Sequence, residues 1–414
     1  MPRLLTAAEA ASRLGVKPAT LYAYVSRGTL RRQRAADGKT SLFDAGEIER
    51  LARRGRPRRP ANAVDITVES QLTEITADRL CYRGLDTAAL ARGRTFEDVA
   101  ELLWTGSLPP ADRGGTPGGG ATDDGVWRAE EAALKVGRAA QSVLPDQTLP
   151  LERLQVIVPA MAVTDPLRLH LDRPAVIAAG KAIIAGMVEC LPGAGELPGS
   201  GARVADRLWT RLCDRRPSRA MLHALSAALV LLADHELAAS TLAARTAASV
   251  RADPYAVVAT GLGAVSGVLH GGASLAAETM LAAAVDPADV PRVVGDLLRR
   301  GEKVPGFGHV VYRSGDPRAA LLTELVREAA PSSRPLAVAD AVAAEVGRKS
   351  LPGPNIDFAV ATLARSAGMI RGAGEAIFAV ARTVGWLAHA LEAYESGKLL
   401  RPRALYTGPA APLP

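Results

Sequence analysis

Apolar positions recur at three- and four-residue spacing through most of the chain, the period of a helix buried along one face, and alternation is confined to short stretches. The first elements are announced by their ends. Thr6-Ala-Ala-Glu9 is a capping-box pattern that opens a helix running to about Leu14, where Gly15 stops it. Pro18 stands at the first position of a second helix, Pro18 to Arg27, closed at Gly28, and the pair has helix-turn-helix spacing. Leu30 to Arg34 and Thr40 to Phe43 flank Asp37-Gly38, a dipeptide suited to a hairpin turn, which predicts a wing. Asp44-Ala-Gly-Glu47 opens a further helix to about Arg54. Alternation between Val64 and Thr76 predicts a short hairpin near Ile66, Val68 and Ile75. From there to the end the pattern is helical, without internal repeat, broken by two stretches rich in Gly and Pro, Arg113 to Asp124 and Leu191 to Gly201, expected as surface loops.

Composition supports a mainly α fold. Hydrophobic residues make up 48% of the 414 positions and aromatics only 4%, so the core is built from Ala, Leu and Val, which suit close-packed helices better than β-sandwiches. Two or three domains are expected at this length. Pro254 to Glu278 carries no acidic or basic residue before its last position, long enough for a membrane span. Its glycines and His270 make a buried helix ending in a special loop the better reading, and no membrane partner is expected. The cysteines, at 81, 190 and 213, are odd in number and lack metal-ligand spacing, which speaks against a disulfide framework or a metal site. A reducing, cytoplasmic setting is expected, as no charged leader precedes an apolar core.

The net charge of +7 is uneven: among the first 60 residues 14 Lys and Arg face 5 Asp and Glu, so the basic character belongs to the N-terminal module. That balance points to a polyanionic partner for this module alone. Residues 53 to 60, with five Arg and two Pro, read as a basic linker.

Four segments concentrate the chemistry: Asp234-His235-Glu236-Leu237, Val268-Leu-His270-Gly-Gly-Ala273, Val304-Pro-Gly-Phe-Gly-His309 with Asp316-Pro-Arg318, and Pro354-Asn-Ile-Asp357-Phe358. Three of the six histidines fall in them; His170, His223 and His389 are expected as core residues. His270 and His309 sit among glycines, where backbone can approach a ligand and a helix N-terminus is expected. Such a terminus keeps imidazole neutral and fit to donate to a developing oxyanion.

The first 60 residues resemble the winged helix-turn-helix of MerR-type regulators. The likeness implies DNA as a partner, with Thr20, Tyr22 and Tyr24 approaching the major groove and Arg31, Arg32, Arg34 and Lys39 meeting phosphates. A fused accessory module without DNA binding is the alternative. The chain from about Leu72 to Gly408 resembles citrate synthases, through the four segments above together with Tyr82-Arg-Gly-Leu-Asp86, Thr95 to Trp104, Ala381-Arg-Thr-Val-Gly-Trp386 and Arg401-Pro-Arg403.

That resemblance implies a two-domain helical fold in a homodimer: residues 61–270 as the first part of a large domain, 271–364 as a small acyl-CoA-binding domain, and 365–414 as the rest of the large one. It implies Asp357 as the base at the acyl α-carbon, His270 as donor to the thioester oxygen, and His309 as the group polarising the oxaloacetate carbonyl. His235, Arg318, Arg382 and Arg401 would hold the carboxylates, Arg401 from the partner subunit. Lys303, Gly306, Gly308, Arg348 and Lys349 would meet CoA. No resident cofactor is implied; acetyl-CoA or propionyl-CoA is the co-substrate, giving citrate or 2-methylcitrate. A regulator sensing such ligands through a synthase-like domain is the reading from another class. The likeness departs at Ala238, where Asn is usual, and at Ala359-Val360-Ala361, where Tyr-Ser-Gly is usual.

Overall fold

Thr6 and Glu9 exchange both hydrogen bonds of a capping box, Thr6 N–H to Glu9 Oε2 at 2.8 Å and Glu9 N–H to Thr6 Oγ1 at 3.4 Å. The helix they open, α1, is Ala7–Leu14. The computed structural model describes residues 4–14, 16, 21–22, 24–25, 30–34, 40–45, 47–48, 67–76, 79–110, 125–195, 202–312, 315–402 and 408. These fall into two compact units, Met1–Val68 and Glu69–Pro414.

In the first unit the expected wing is a β-hairpin: β2 (Arg32–Arg34) pairs antiparallel with β3 (Ser41–Asp44), Arg32 opposite Phe43. A third strand, β1 (Leu4–Thr6), lines the other edge of β3, an element too short to announce itself by alternation. Leu21, Tyr22, Tyr24 and Val25 are helical, and Asp44 Oδ1 accepts from Glu47 N–H where the next helical segment starts. Leu5, Ala10, Ala11, Leu21, Leu30, Phe43 and Ile48 form a small core. Tyr24 is half-buried against it, whereas Tyr22 is 41% exposed. Arg31, Arg32 and Arg34 are exposed. Thr20, Lys39, the Asp37-Gly38 turn and the basic linker lie outside the described residues.

The second unit begins with a three-stranded meander, β4 (Thr73–Ile75), β5 (Leu80–Tyr82) and β6 (Leu85–Asp86). Here the hairpin expectation needs correction. Ile75 pairs with Leu80 on the far side of the turn, Val68 is in no strand, and Ile66 lies outside the described residues. The rest is helical. The elements are α2 (Thr87–Gly93), α3 (Phe96–Thr105), α4 (Glu131–Ser142), α5 (Pro150–Ala162), α6 (Arg173–Cys190), α7 (Val204–Leu212), α8 (Arg219–Leu232), α9 (Ala239–Ser249) and α10 (Pro254–Val265). They continue with α11 (Gly272–Ala283), α12 (Val290–Arg299), α13 (Pro317–Ala329), α14 (Arg334–Arg348), α15 (Ile356–Ala367) and α16 (Ala373–Ser396).

Side chains of Asp86, Thr95, Asp172, Ser218, Asp253 and Ser333 cap helix starts by accepting backbone N–H groups, so polar residues at chain punctuation set the element boundaries. The charge-free stretch from Pro254 divides into α10 and α11 around a turn that carries His270. Among the described residues no helix is long and apolar enough to cross a membrane. The segments 111–124 and 196–201, which hold most of the two expected loops, lie outside the described residues.

Helix α16 is buried around its whole circumference, as expected only of a central helix, and packs against α3, α6, α8, α9 and α10. One large core surrounds it. A second, separate core joins residues of α11, α12 and α14 to Val304, Phe358 and Ala361. Among the histidines expected inside, His389 is fully buried and His223 partly so, but His170 is exposed, because it falls in the turn between α5 and α6 rather than on an apolar helix face.

Gly261 of α10 lies where a Cβ would stand 2.5 Å from the Trp386 ring. Replacing Gly261 by Ala must displace a fully buried indole, and a loss of about 1–3 kcal/mol of stability is expected, as for overpacked cores. Chemical denaturation of the variant beside the unmodified protein checks this.

Candidate active site

The loop carrying His309 is laced to the turn before α15 by backbone hydrogen bonds. Gly308 N–H donates to Gly353 O (2.8 Å), Asn355 N–H to Gly306 O (2.9 Å) and Asn355 Nδ2 to Gly308 O (2.9 Å), while Phe307 bridges Pro354. Gly306 is required here twice over: its φ is +79°, and a Cβ would meet Phe358 Cβ at 2.7 Å. Asn355 also caps α15, its Oδ1 accepting from Asp357 N–H (3.0 Å). One asparagine therefore ties the glycine loop to the first turn that bears Asp357.

His309 itself stands in irregular chain, not at a helix N-terminus, which corrects the expectation for this residue. Its Nδ1 accepts from Val311 N–H (3.0 Å) and Tyr312 N–H (3.3 Å), so a neutral ring carries its proton on Nε2, ready to donate. The His235 ring meets the His309 ring edge-on at 5.2 Å, and its Nε2 is 3.1 Å from the Tyr312 hydroxyl. Burial, with Arg318 close by, lowers the basicity of both rings; for His235, Arg382 and His309 add to the effect. A cavity of about 230 Å³ opens here, lined by His309, Tyr312 and Asp316 among others.

Arg318 is buried and stacks 5.5 Å above the Tyr312 ring. Its Nε and Nη2 are engaged by Asp316 at 3.0 and 2.8 Å, which leaves Nη1 for a ligand and narrows the bidentate role expected of it. Arg382, also buried, spends Nε on Leu232 O (2.7 Å) and lies 4.7 Å over the Phe378 ring, keeping its terminal nitrogens.

His270 lies in the turn before α11, edge-on to Phe378 at 5.4 Å. Its Nε2 is 2.8 Å from Ser240 Oγ, which also accepts from Trp386 Nε1 (3.3 Å). With the Ser240 hydroxyl hydrogen turned to Nε2, the ring proton sits on Nδ1, facing away from the protein anchor. Burial and the nearby Arg382 push the His270 pKa down to about 4, so the ring is neutral. Asp357 moves the other way: burial, against the opposing pull of Arg318 and Arg382 and with some help from Asp316, pushes its pKa up to about 6. A neutral imidazole and a carboxylate of raised basicity thus both lie near Arg382.

Sequence reasoning missed Tyr312, Asp316, Ser240 and Asn355 as supports of the site. Asp316 and Asn355 lay inside quoted motifs, but nothing local marks Ser240 or Tyr312. The other expected residues stand apart. Lys303, Arg348, Lys349 and Arg401 are exposed; Arg348 and Lys349 both pair with Glu345, and Arg401 enters none of the cluster's contacts. Ala238 precedes α9, which starts without a side-chain cap.

Residues 64–403 match the family model described as citrate synthase, C-terminal domain. The chain belongs to the citrate synthase family. Residues 4–56 match a helix-turn-helix domain. Among its relatives, citrate synthase of Haloferax volcanii is 34% identical over 361 residues, covering 83% of this chain and 94% of that protein. A 2-methylcitrate synthase of Mycobacterium tuberculosis is 30% identical over 366 residues, covering 83% and 88%. Among solved structures, Thermotoga maritima citrate synthase superposes with a TM-score of 0.68 at 26% identity, covering 84% of this chain and 95% of that one. The citrate synthase of Thermoplasma acidophilum, solved as a ternary complex with carboxymethyl coenzyme A and oxaloacetate, gives 0.68 at 25%, covering 84% and 96%.

As a citrate synthase family member the chain is an acyltransferase. Because the Asp357 pKa is raised to about 6, its basic form is lost as pH falls through that value, while His270 stays neutral until about pH 4. A kcat/KM profile with a single-proton acid limb near pH 6 is expected, and a limb centred at the ordinary carboxylate value near 4 would contradict the assignment.

Proposed function

We propose that the second unit condenses acetyl-CoA with oxaloacetate to give citrate and CoA. The observation that carries this reading is that Arg382 lies near both Asp357, a half-buried carboxylate of raised basicity, and His270, a neutral imidazole anchored through Nε2 on Ser240. Asp357 takes a proton from the methyl group of the thioester while His270 Nδ1–H donates to the thioester oxygen, where charge accumulates in the enolate. The enolate carbon attacks the oxaloacetate ketone, whose oxygen is polarised by His309 Nε2–H. Water then cleaves the citryl thioester and frees the CoA thiol.

His235, Arg318 through Nη1, and Arg382 hold the substrate carboxylates, with Arg401 supplied by the partner subunit of a homodimer. The second core belongs to a small domain of residues 271–364, hinged between large-domain residues 61–270 and 365–414 and closing over the substrates; Lys303, Gly306, Gly308, Arg348 and Lys349 meet CoA from it. Three free, buried cysteines suit a cytoplasmic enzyme. Propionyl-CoA is the competing substrate: one methylene in an apolar pocket is worth only about 1–3 kcal/mol, and relatives of both names align over the same span.

Thiol release by the pure protein with oxaloacetate and either acyl-CoA tests the reading. Asp357→Asn is expected to slow turnover by about 10² or more with oxaloacetate binding little changed, as for loss of a general base. Turnover equal to that of the unmodified protein would remove Asp357 from the mechanism.

A second reading concerns the first unit, where an exposed edge strand presents Arg32 and Arg34 beside Arg31 and an outward Tyr22. We propose that it binds duplex DNA, with Arg31, Arg32 and Arg34 on phosphates and Thr20, Tyr22 and Tyr24 as the base-reading residues, and that the module does not serve catalysis. Selection of duplexes from a random pool by the full chain is expected to enrich one sequence over bulk DNA by about 10³ or more. A chain starting near Ala61 should enrich none and keep full synthase activity; failure of the full chain to enrich any sequence would leave the module an accessory.

A further inference from the structure

The mechanism makes no use of Asp234, yet this fully buried residue is tied down at nearly every polar atom. Its N–H donates to the Tyr82 hydroxyl (3.1 Å), which also lies 2.9 Å from its carbonyl oxygen. Its Oδ2 accepts from the Thr73 hydroxyl (2.5 Å) and from Glu236 N–H (3.3 Å), and its Oδ1 is 3.4 Å from His389 Nε2. Arg245 Nη1 lies 2.9 Å from His389 Nδ1, and because a guanidinium only donates, Nδ1 accepts and the ring proton is on Nε2, at ion-pair distance from Asp234 Oδ1 without a hydrogen bond between them. Arg245 in turn pairs with Glu392 (2.6 Å) and donates to Glu69 O (3.2 Å), while Glu392 accepts from Gln71 N–H (2.8 Å). Although burial disfavours its charge, Asp234 is held below the usual carboxylate range by His389, Arg382 and Thr73.

What lies next to Asp234 gives this arrangement its meaning. The following residue is His235, and Glu236 after it has φ +55°, a left-handed conformation that a residue with a side chain keeps only where its surroundings impose it. The Asp234 carboxylate, accepting from Glu236 N–H, is one contact that holds it. His235 is therefore the middle of a strained turn whose first residue is hydrogen-bonded to β4 through Thr73 and to β5 through Tyr82 and stands at ion-pair distance from His389 of α16.

We propose that Asp234, fixed by Thr73 and His389, is the positioning residue for His235, aiming its imidazole at the Tyr312 and His309 side of the substrate site. Thr73 is then part of the site's support, and so are Glu69 and Gln71, the residues through which the chain enters the second unit. Substrate positioning at His235 thus depends on how the first strand of this unit is seated.

This rests on the reading of His235 as an oxaloacetate contact, so the test has two arms on the full chain. In the first, Thr73→Val removes the hydroxyl at nearly constant shape, and Thr73→Ser restores it. For loss of one hydrogen bond to a buried charge, Thr73→Val is expected to raise KM for oxaloacetate about 5- to 10-fold, to leave KM for acyl-CoA within about 2-fold, and to be rescued by Thr73→Ser. A purely structural role predicts lowered thermal stability with both KM values unmoved, or moved together and not rescued by Ser, and either result overturns the proposal.

In the second arm, imidazole nitrogen NMR resolves the six histidines without any turnover, the His235 signals being identified by their loss in His235→Gln. Thr73→Val is expected to shift the His235 ring nitrogens and Thr73→Ser to leave them in place; an unmoved His235 in Thr73→Val overturns the proposal. Absence of thiol release by the unmodified protein would count against the synthase reading instead, and the NMR arm would still decide this one.

Discussion

The carboxylate of Asp316 accepts four hydrogen bonds, three from Arg318 and one from Ile356 N–H at the start of α15. It is buried with its arginine, and burial of either charge alone would be costly. Through this one group the Arg318 guanidinium and the helix turn bearing Asp357 are held in fixed relation. The raised basicity of Asp357 follows from the same arrangement. Arg318 spends most of its charge on Asp316, so burial wins at Asp357 even with two guanidiniums nearby. Were Arg318 free to pair with Asp357, the base would be a weak one.

The imidazoles obey the same economy of charge. Each of the three at the site is pushed toward neutrality by burial and by guanidiniums, and each has one ring nitrogen engaged by a protein partner: backbone N–H groups at His309, a serine at His270 and the Tyr312 hydroxyl at His235. A ring with one nitrogen so fixed has only one proton position left to offer, which is what a donor to a developing oxyanion requires. The acid–base assignments thus come from second partners, not from the histidines themselves.

That division explains how much could be read in the chain. The capping box at Thr6 and the capping signal at Asp44, with the strands expected on either side of Asp37-Gly38, are local signals, and the corresponding elements are found. Two of the four chemical segments, those of His270 and His309, were visible because histidine stands there among glycines. Ser240 meets His270 across 30 residues and Tyr312 meets His235 across 77, and neither has a periodicity or a turn residue to mark it. The strand β1 and the true partner of Ile75 escaped for a similar reason: a three-residue strand is specified by what it packs on, not by its own pattern. His170 was misjudged because an apolar neighbourhood in sequence, Leu167 to Leu171, became an exposed turn.

Helix α16 carries Phe378, Arg382, Trp386, His389 and Glu392, each touching a different support of the site: His270, Leu232, Ser240, Arg245 and Gln71. Their spacings of four, four, three and three put them on one stripe of the helix. A stripe of this kind works as a vernier, in which every mark is aligned only while the whole scale is in register. Inserting or deleting a single residue ahead of Phe378 within α16 would turn all five by about 100° and slide them about 1.5 Å at once. Evolution can therefore exchange side chains along this helix one by one, but it cannot change the helix's length inside the stripe without dismantling the site in a single step.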